Sequence, residues 1–495
     1  MALKLFGGGK PDHPLADEKG ARETLASLPA NDPFKCIEEI RHWLESVQST
    51  EGFKPDRRAE IVLLLDETAQ AHQRKLQRDY LTNPNLPRFQ EQRLWTAQFG
   101  LWKDLAHAYT ACLAQLASDP GRLKAQLPLV SVRAVRAVAA QMKWHFMHYE
   151  QGEAGAWANL GKVYRFAEER KLGREAVTVY PGVPIASSAE REFMKALMLA
   201  ASSPDCLRPL DIELAERLVA HLSASFLISS AHVPQQTYYW IDLAEDLPPK
   251  RLTQQPPPPA PSQRFFAAGG ALAQLDEVIR VVEKGAVPSD LNLGGSYEPE
   301  KLLGVLRHLK MYWAVSPPVR KHDRYSVKHR ISVVNGFSGV LGRLQGTANG
   351  AESWAIDNIS AGGIGAAVEK VQGDWLRIGR LVGVQVEGGS GALSVGVIRR
   401  CNRLPRQQAN VGVQTFAKET YVVQLGGGEA KDALLLNDGR ALRDDVLLCL
   451  REGGFDRRVS PTMAFEKQNY LLIPGELVES GEEFELARYR LMQQS

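Results

Sequence analysis

The feature that most constrains this chain is a change of hydrophobic period at Pro317-Pro318. Before it, apolar residues recur at helical spacing, as in Ile37, Ile40, Trp43, Leu44 and Val47, which would line one helix face. After it they alternate: Val382, Val384 and Val386, then Val395 and Val397, then Val411 and Val413, the pattern of strands with one buried side. Two periods in separate stretches predict a multidomain α+β protein, helical first and β-rich second.

Further amphipathic stretches at about 57–80, 89–117, 131–150, 153–171, 188–202 and 210–226 are punctuated by Pro and Gly. They predict an all-α domain of six or more helices within 35–250, behind a flexible tail at 1–34. The segment 236–244, with Tyr238, Tyr239, Trp240 and Ile241, reads as a short strand whose partner the sequence does not identify. Gln254-Gln255-Pro256-Pro257-Pro258-Pro259-Ala260-Pro261 favours extended polyproline and predicts a linker or hinge over 251–263. Helical stretches at about 266–284 and 298–313 form a connector spanning 264–318. The β region then divides into a small antiparallel barrel at 319–418 and a β-rich extension at 419–495, whose strand-like runs include Tyr421-Val422-Val423 and Tyr470-Leu471-Leu472-Ile473.

Composition narrows the function classes. Of 495 residues, Lys plus Arg number 60 and Asp plus Glu 57, a balance that offers no extended electrostatic footprint for nucleic acid. The five cysteines stand far apart with neither a CxxC pair nor zinc-site spacing, so a reducing cytoplasmic compartment is expected. No apolar run approaches the roughly 18 residues needed to span a bilayer, so neither export nor membrane insertion is expected.

Two short motifs carry the chemistry. Arg320 and Arg324 stand four apart in Arg320-Lys321-His322-Asp323-Arg324, directly before the first strand of the β region, and Asn358-Ile359-Ser360-Ala361-Gly362-Gly363 follows downstream. An arginine fork pairs with phosphate oxygens, donates twice to a guanine edge or stacks on a base. Asn358 and Ser360 supply short donors and acceptors, and Gly363 would permit a backbone conformation other residues resist and let the chain approach a ligand.

In this order the motifs resemble the two defining elements of PilZ domains, RxxxR and [D/N]xSxxG. The likeness extends over about 319–418, through Trp354 to Ile364, Trp375 to Gly379, Val395 to Arg399 and Val411 to Gln414. The gap between the motifs is longer than usual; Asn335-Gly336-Phe337 reads as a turn and Gln345 to Ala351 as a lengthened hairpin loop. The resemblance implies a bacterial receptor for the second messenger cyclic di-GMP, with Arg320, Arg324, Asn358, Ser360 and Gly363 binding the ligand. Val319, directly before the arginine motif, points to one ligand molecule rather than two. The resemblance implies no catalysis, cofactor or metal; the helical region, of no recognised family, would signal to a protein partner. The competing readings are a scaffold with a PilZ-shaped domain that binds no ligand, and an enzyme within the helical region, although no nucleophile, base and orienting group stand in neighbouring motifs.

Other signals are weaker. Trp157, Leu160, Gly161 and Tyr164 match the opening of a tetratricopeptide repeat but do not recur at its period of about 34 residues, so close helix packing through Gly161 is preferred. His145 and His148 would share a helix face without a third metal ligand. Gly7-Gly8-Gly9-Lys10 lacks the first glycine and the Ser or Thr of a phosphate loop.

Overall fold

The computed structural model describes residues 11–494 apart from 84–85, 119, 183–185, 253–254, 320–321, 348–349, 374, 389–391, 427–430, 438–441 and 443. The chain forms two compact units: one takes residues up to 318 except 149–151 and 205–208, and the other takes those two short segments with 319–495.

The first unit is built on α1 (Glu18–Ala26), α2 (Pro33–Ser49), α3 (Pro55–Thr82), α4 (Arg88–Leu116), α5 (Leu127–Met147), α6 (Ala156–Glu169), α7 (Ala189–Ala201) and α8 (Pro209–Leu222). Short polar side chains start several of them: Asp17 accepts from Gly20 N, Asp32 from Lys35 N and Ser188 from Arg191 N. The expected tail at 1–34 is therefore folded from residue 11 onward. Leu15 is fully buried, its carbonyl accepts from Arg57 Nη2 at 3.1 Å, and Asp17 caps α1. Residues 1–10, with the glycine-rich segment, lie outside the described residues.

Strands β1 (Val177–Thr178) and β2 (Ala186–Ser187) pair with each other. A second sheet runs in the order β3 (Leu227–Ser229), β6 (Gln263–Ala267), β4 (Tyr239–Asp242), β5 (Lys250–Arg251). The aromatic segment is thus strand β4, and its partners are β6, through Tyr239 opposite Phe266 and Trp240 opposite Phe265, and β5. The proline run joins β5 to β6, so where the sequence suggests a boundary the structure has a loop within one sheet. Prolines donate no N–H, and side chains hold the loop instead: Gln263 Nε2 donates to Pro258 O at 3.0 Å and Arg264 Nη1 to Pro261 O at 2.8 Å. Gln254 lies outside the described residues. The connector then continues the same unit through α9 (Ala271–Glu283) and α10 (Pro299–Trp313), with Trp313 Nε1 donating to Ser202 Oγ at 2.8 Å.

Buried charge is a feature of this unit. Arg133 is 1% exposed and donates to Val179 O, Leu63 O and Glu67 Oε1, with Asp66 at 3.9 Å. Asp66 also accepts from the hydroxyls of Tyr109 and Tyr180 and the Gln70 amide. Burial pushes the Asp66 carboxyl above the usual carboxylate range despite these partners.

The second unit holds two six-stranded antiparallel barrels. The first comprises β8 (Arg330–Asn335), β9 (Glu352–Ser360), β10 (Gly363–Val368), β11 (Leu381–Val386), β12 (Ser394–Leu404) and β13 (Gln408–Ala417), closed where β9 meets β10, with β7 (Tyr325–Ser326) added along β9. Its core contains Ile331, Trp354, Ile356, Val382, Val384, Ile398, Val411 and Val413, whereas of the other alternating valines Val395 and Val397 pack on the outer face of β12 and Val386, at the end of its strand, is exposed. The second barrel closes in the order β14 (Glu419–Gly426), β15 (Lys431–Asn437), β16 (Asp445–Arg451), β19 (Phe484–Gln494), β18 (Gln468–Ser480), β17 (Thr462–Phe465).

The long gap between the motifs contains a helix, α11 (Gly336–Leu344), where a turn was expected. Its Phe337, Val340 and Leu341 pack with Leu434, Leu436, Phe484 and Leu486 of the second barrel in one apolar cluster. That cluster also explains why β11 is buried on both faces. Val382 and Val384 face the barrel interior while Leu381 faces α11, and a β-carbon on Gly383 would lie 2.9 Å from Val334 Cγ2. Barrel and extension are therefore two parts of a single compact unit.

Candidate functional site

The pairing of β7 with β9 decides where the arginine motif lies. Tyr325 is opposite Ile359 and Ser326 opposite Asn358. The ladder ends there, but its direction leads the chain before Tyr325 toward Ser360 and the turn that follows it. The ring of His322 agrees: a β-carbon on Gly362 would lie 3.1 Å from its Cδ2. The described end of the arginine motif, His322 to Arg324, and the NxSxxG turn, separate in sequence, are neighbours on the barrel surface. Arg324 is exposed there. Arg320 lies outside the described residues.

Within the turn, the Ser360 hydroxyl donates to Gly363 O at 3.2 Å, leaving its lone pairs for a further donor, and Thr415 N donates to Gly362 O at 3.3 Å. The β9–β10 register shifts between Gly365 and Ala366, which face Asn358 and Ile356, so Asp357 is the extra residue of a bulge. The Asn358 amide lies across Gly365, where a β-carbon would come within 2.7 Å of its Nδ2.

Gly363 is glycine for a reason other than the expected one. Its φ is not in the left-handed region; instead a β-carbon would lie 2.2 Å from Val413 O on β13. The close approach is to the protein's own backbone. Gly363 pairs with Gln414, and Gly365 with Gly412, so a strip of half-buried glycines runs beside Asn358 and Ser360.

Cations border this strip. Arg399 Nε donates to Gln414 Oε1 at 2.8 Å, and its two terminal nitrogens donate to the Glu479 carboxylate of β18 at 2.7 and 2.5 Å. Arg400, opposite Gly412, pairs with Asp205. Short amide and hydroxyl groups, a half-buried glycine strip and flanking guanidinium groups suit a ligand that combines a flat polar heterocycle with negative charge. His322, Arg399 and Gln414 were not singled out in the sequence. His322 was legible as the middle of the arginine motif; Arg399 was not, because its placement depends on a bulge in β12 between Ile398 and Arg400.

Residues 19–234 match the family model of the N-terminal domain of the cyclic-di-GMP receptor FimW. The matched stretch begins in α1, runs past β3, covers less than half of the chain, and does not include the barrel. The helical region, for which the sequence alone suggested no family, is thus similar to a domain of a protein described as a cyclic-di-GMP receptor. No curated protein matches the chain.

The signals set aside within the helical region have packing explanations. A β-carbon on Gly161 of α6 would lie 2.3 Å from Leu243 O, so the glycine serves a close chain approach. At the end of α5, His148 stacks on Trp95 with ring centroids 3.9 Å apart, and His145 meets Phe99 edge-on at 4.6 Å. Among the described residues no three His, Cys, Asp or Glu side chains are grouped to hold a metal ion, and no helix is long and apolar enough to cross a membrane.

Proposed function

We propose that this chain is a non-catalytic cytoplasmic receptor for cyclic di-GMP, that the ligand binds on the first barrel as on a PilZ domain, and that the helical region conveys the bound state to a protein partner. The observation that carries the reading is the pairing of Tyr325 with Ile359 and Ser326 with Asn358, together with the His322 ring beside Gly362, which supports bringing the arginine motif to the NxSxxG turn. A dianionic dinucleotide needs cations that reach phosphate or guanine, and short polar groups where the backbone carries no side chain. Arg320 and Arg324 would supply the first; Asn358 and Ser360 the second; Gly363 brings the backbone of β10 up to the same place. The match of the helical region to a domain of a cyclic-di-GMP receptor supports the same ligand from a part of the chain that shares none of these residues.

The test is calorimetric titration of the full chain with cyclic di-GMP, GTP and cyclic GMP. Saturable binding of cyclic di-GMP alone is expected, with Arg324→Ala weakening it about tenfold or more, since a charge-assisted contact freed from water is worth upwards of about 1.4 kcal/mol. Asn358→Ala and Ser360→Ala should weaken it while leaving the fold intact. Binding that survives in every one of these variants would refute the site, and no binding by the native chain would favour a scaffold.

A further inference from the structure

The second barrel contributes a carboxylate to the edge of this site, and we infer that Arg399 is a further ligand-binding residue held in reserve by Glu479. The inference rests on the cyclic di-GMP reading above. Arg399 lies at the β12 bulge and reaches Gln414, the direct cross-strand partner of Gly363. Its remaining donors are turned onto Glu479, itself next to a register irregularity of β18 between Leu477 and Glu479. The pair is solvent-accessible on one side, with side-chain exposures of 41% for Arg399 and 20% for Glu479.

The guanidinium presents the same two-pronged edge to a carboxylate and to a phosphate, and the Hoogsteen edge of guanine accepts it in the same way. A dinucleotide resting on the glycine strip beside Gln414 therefore competes with Glu479 for Arg399. Binding costs the protein this ion pair, so Glu479 lowers affinity and the ligand's arrival releases a carboxylate of the second barrel. The C-terminal extension, to which the sequence assigned no chemistry, thereby becomes the part that sets the threshold of the receptor.

The experiment is titration of the full chain with cyclic di-GMP in native, Glu479→Gln, Arg399→Ala and doubly substituted forms, with Arg399→Lys as a variant that keeps charge and bulk. Glu479→Gln should tighten binding about fivefold, the scale of a well-aligned exposed ion pair. Arg399→Ala should weaken it about tenfold, Arg399→Lys less, and in the Arg399→Ala background Glu479→Gln should have no effect. Unchanged affinity in Glu479→Gln, or a gain that persists without Arg399, overturns the inference while Arg324-dependent binding stands. No binding by the native chain overturns the receptor reading and this inference together.

Discussion

Gly363→Ala separates what the barrel needs from what a ligand needs. The added β-carbon would lie 2.2 Å from Val413 O and 3.3 Å from Gln414 Cα, whereas ordinary contact begins at 3.4 Å. The first overlap is more than an ångström, and the atoms it meets are backbone, so it cannot be relieved by a rotamer change. Strands β10 and β13 must part, at about 3 kcal/mol, the upper end of the cost of overpacking. That corresponds to about a hundredfold faster amide exchange by local opening. Hydrogen exchange of the full chain, read on peptides covering 363–368 and 408–417, should show this loss of protection. The neighbouring Gly362→Ala is the control: its β-carbon meets only the exposed His322 ring at 3.1 Å, a side chain free to swing aside, and its cost should stay below about 0.5 kcal/mol. Protection in Gly363→Ala within threefold of native, or equal loss in both variants, would refute the reasoning.

Two other outcomes concern the helical unit. Arg133→Met removes two buried hydrogen bonds and a part-buried one to Glu67, and takes the guanidinium 3.9 Å from Asp66 away, so it should cost about 3–5 kcal/mol and lower the Tm of that unit by roughly 10 °C; calorimetry showing no drop would contradict this. Burial alone would raise the Glu192 carboxyl, but Lys195, Arg136 and the Ser187 hydroxyl outweigh it and hold the pKa below the usual value. A depressed pKa stabilises the fold above the unfolded value near 4.3 and loses that contribution as pH falls through the folded one. The Tm gap between native protein and Glu192→Gln should therefore be widest near neutrality and close in acid, and a gap independent of pH would rule out the ion pairs as its source.

Helices α3 to α8 were legible because each carries a long amphipathic pattern and most lie between Pro or Gly stops. Helix α11 was not, although Phe337, Val340, Leu341 and Leu344 stand at helical spacing. Three of its nine residues are glycine, which disfavours an isolated helix, and its stability comes from packing against the second barrel. The proline run misled in a related way: composition shows that a segment cannot be a helix, but not that the strands on either side of it share a sheet. For the site, the sequence supplied residue types and order. The β7–β9 register, the Asp357 bulge and the meeting of Arg399 with Glu479 are properties of pairing between distant strands, which no local pattern encodes.

The contact between the two barrels limits what release of Glu479 could do. An exposed ion pair contributes about 1 kcal/mol at most. The apolar seam beside it buries Phe337, Val340, Leu341, Leu434, Leu436, Phe484 and Leu486, and at about 1.5–3 kcal/mol for each large side chain fully buried it is stronger by an order of magnitude. Further ion pairs, Arg377 with Glu482 and Arg380 with Glu483, lie between the same barrels. Loss of the Arg399–Glu479 pair is too small to separate the barrels, so a ligand that takes Arg399 leaves them packed and frees one carboxylate, while the ladder of Glu479 with Leu486 holds β18 in place. A response that passes through this pair is accordingly a local change in charge at the end of β18, an acidic side chain newly presented on an unchanged scaffold.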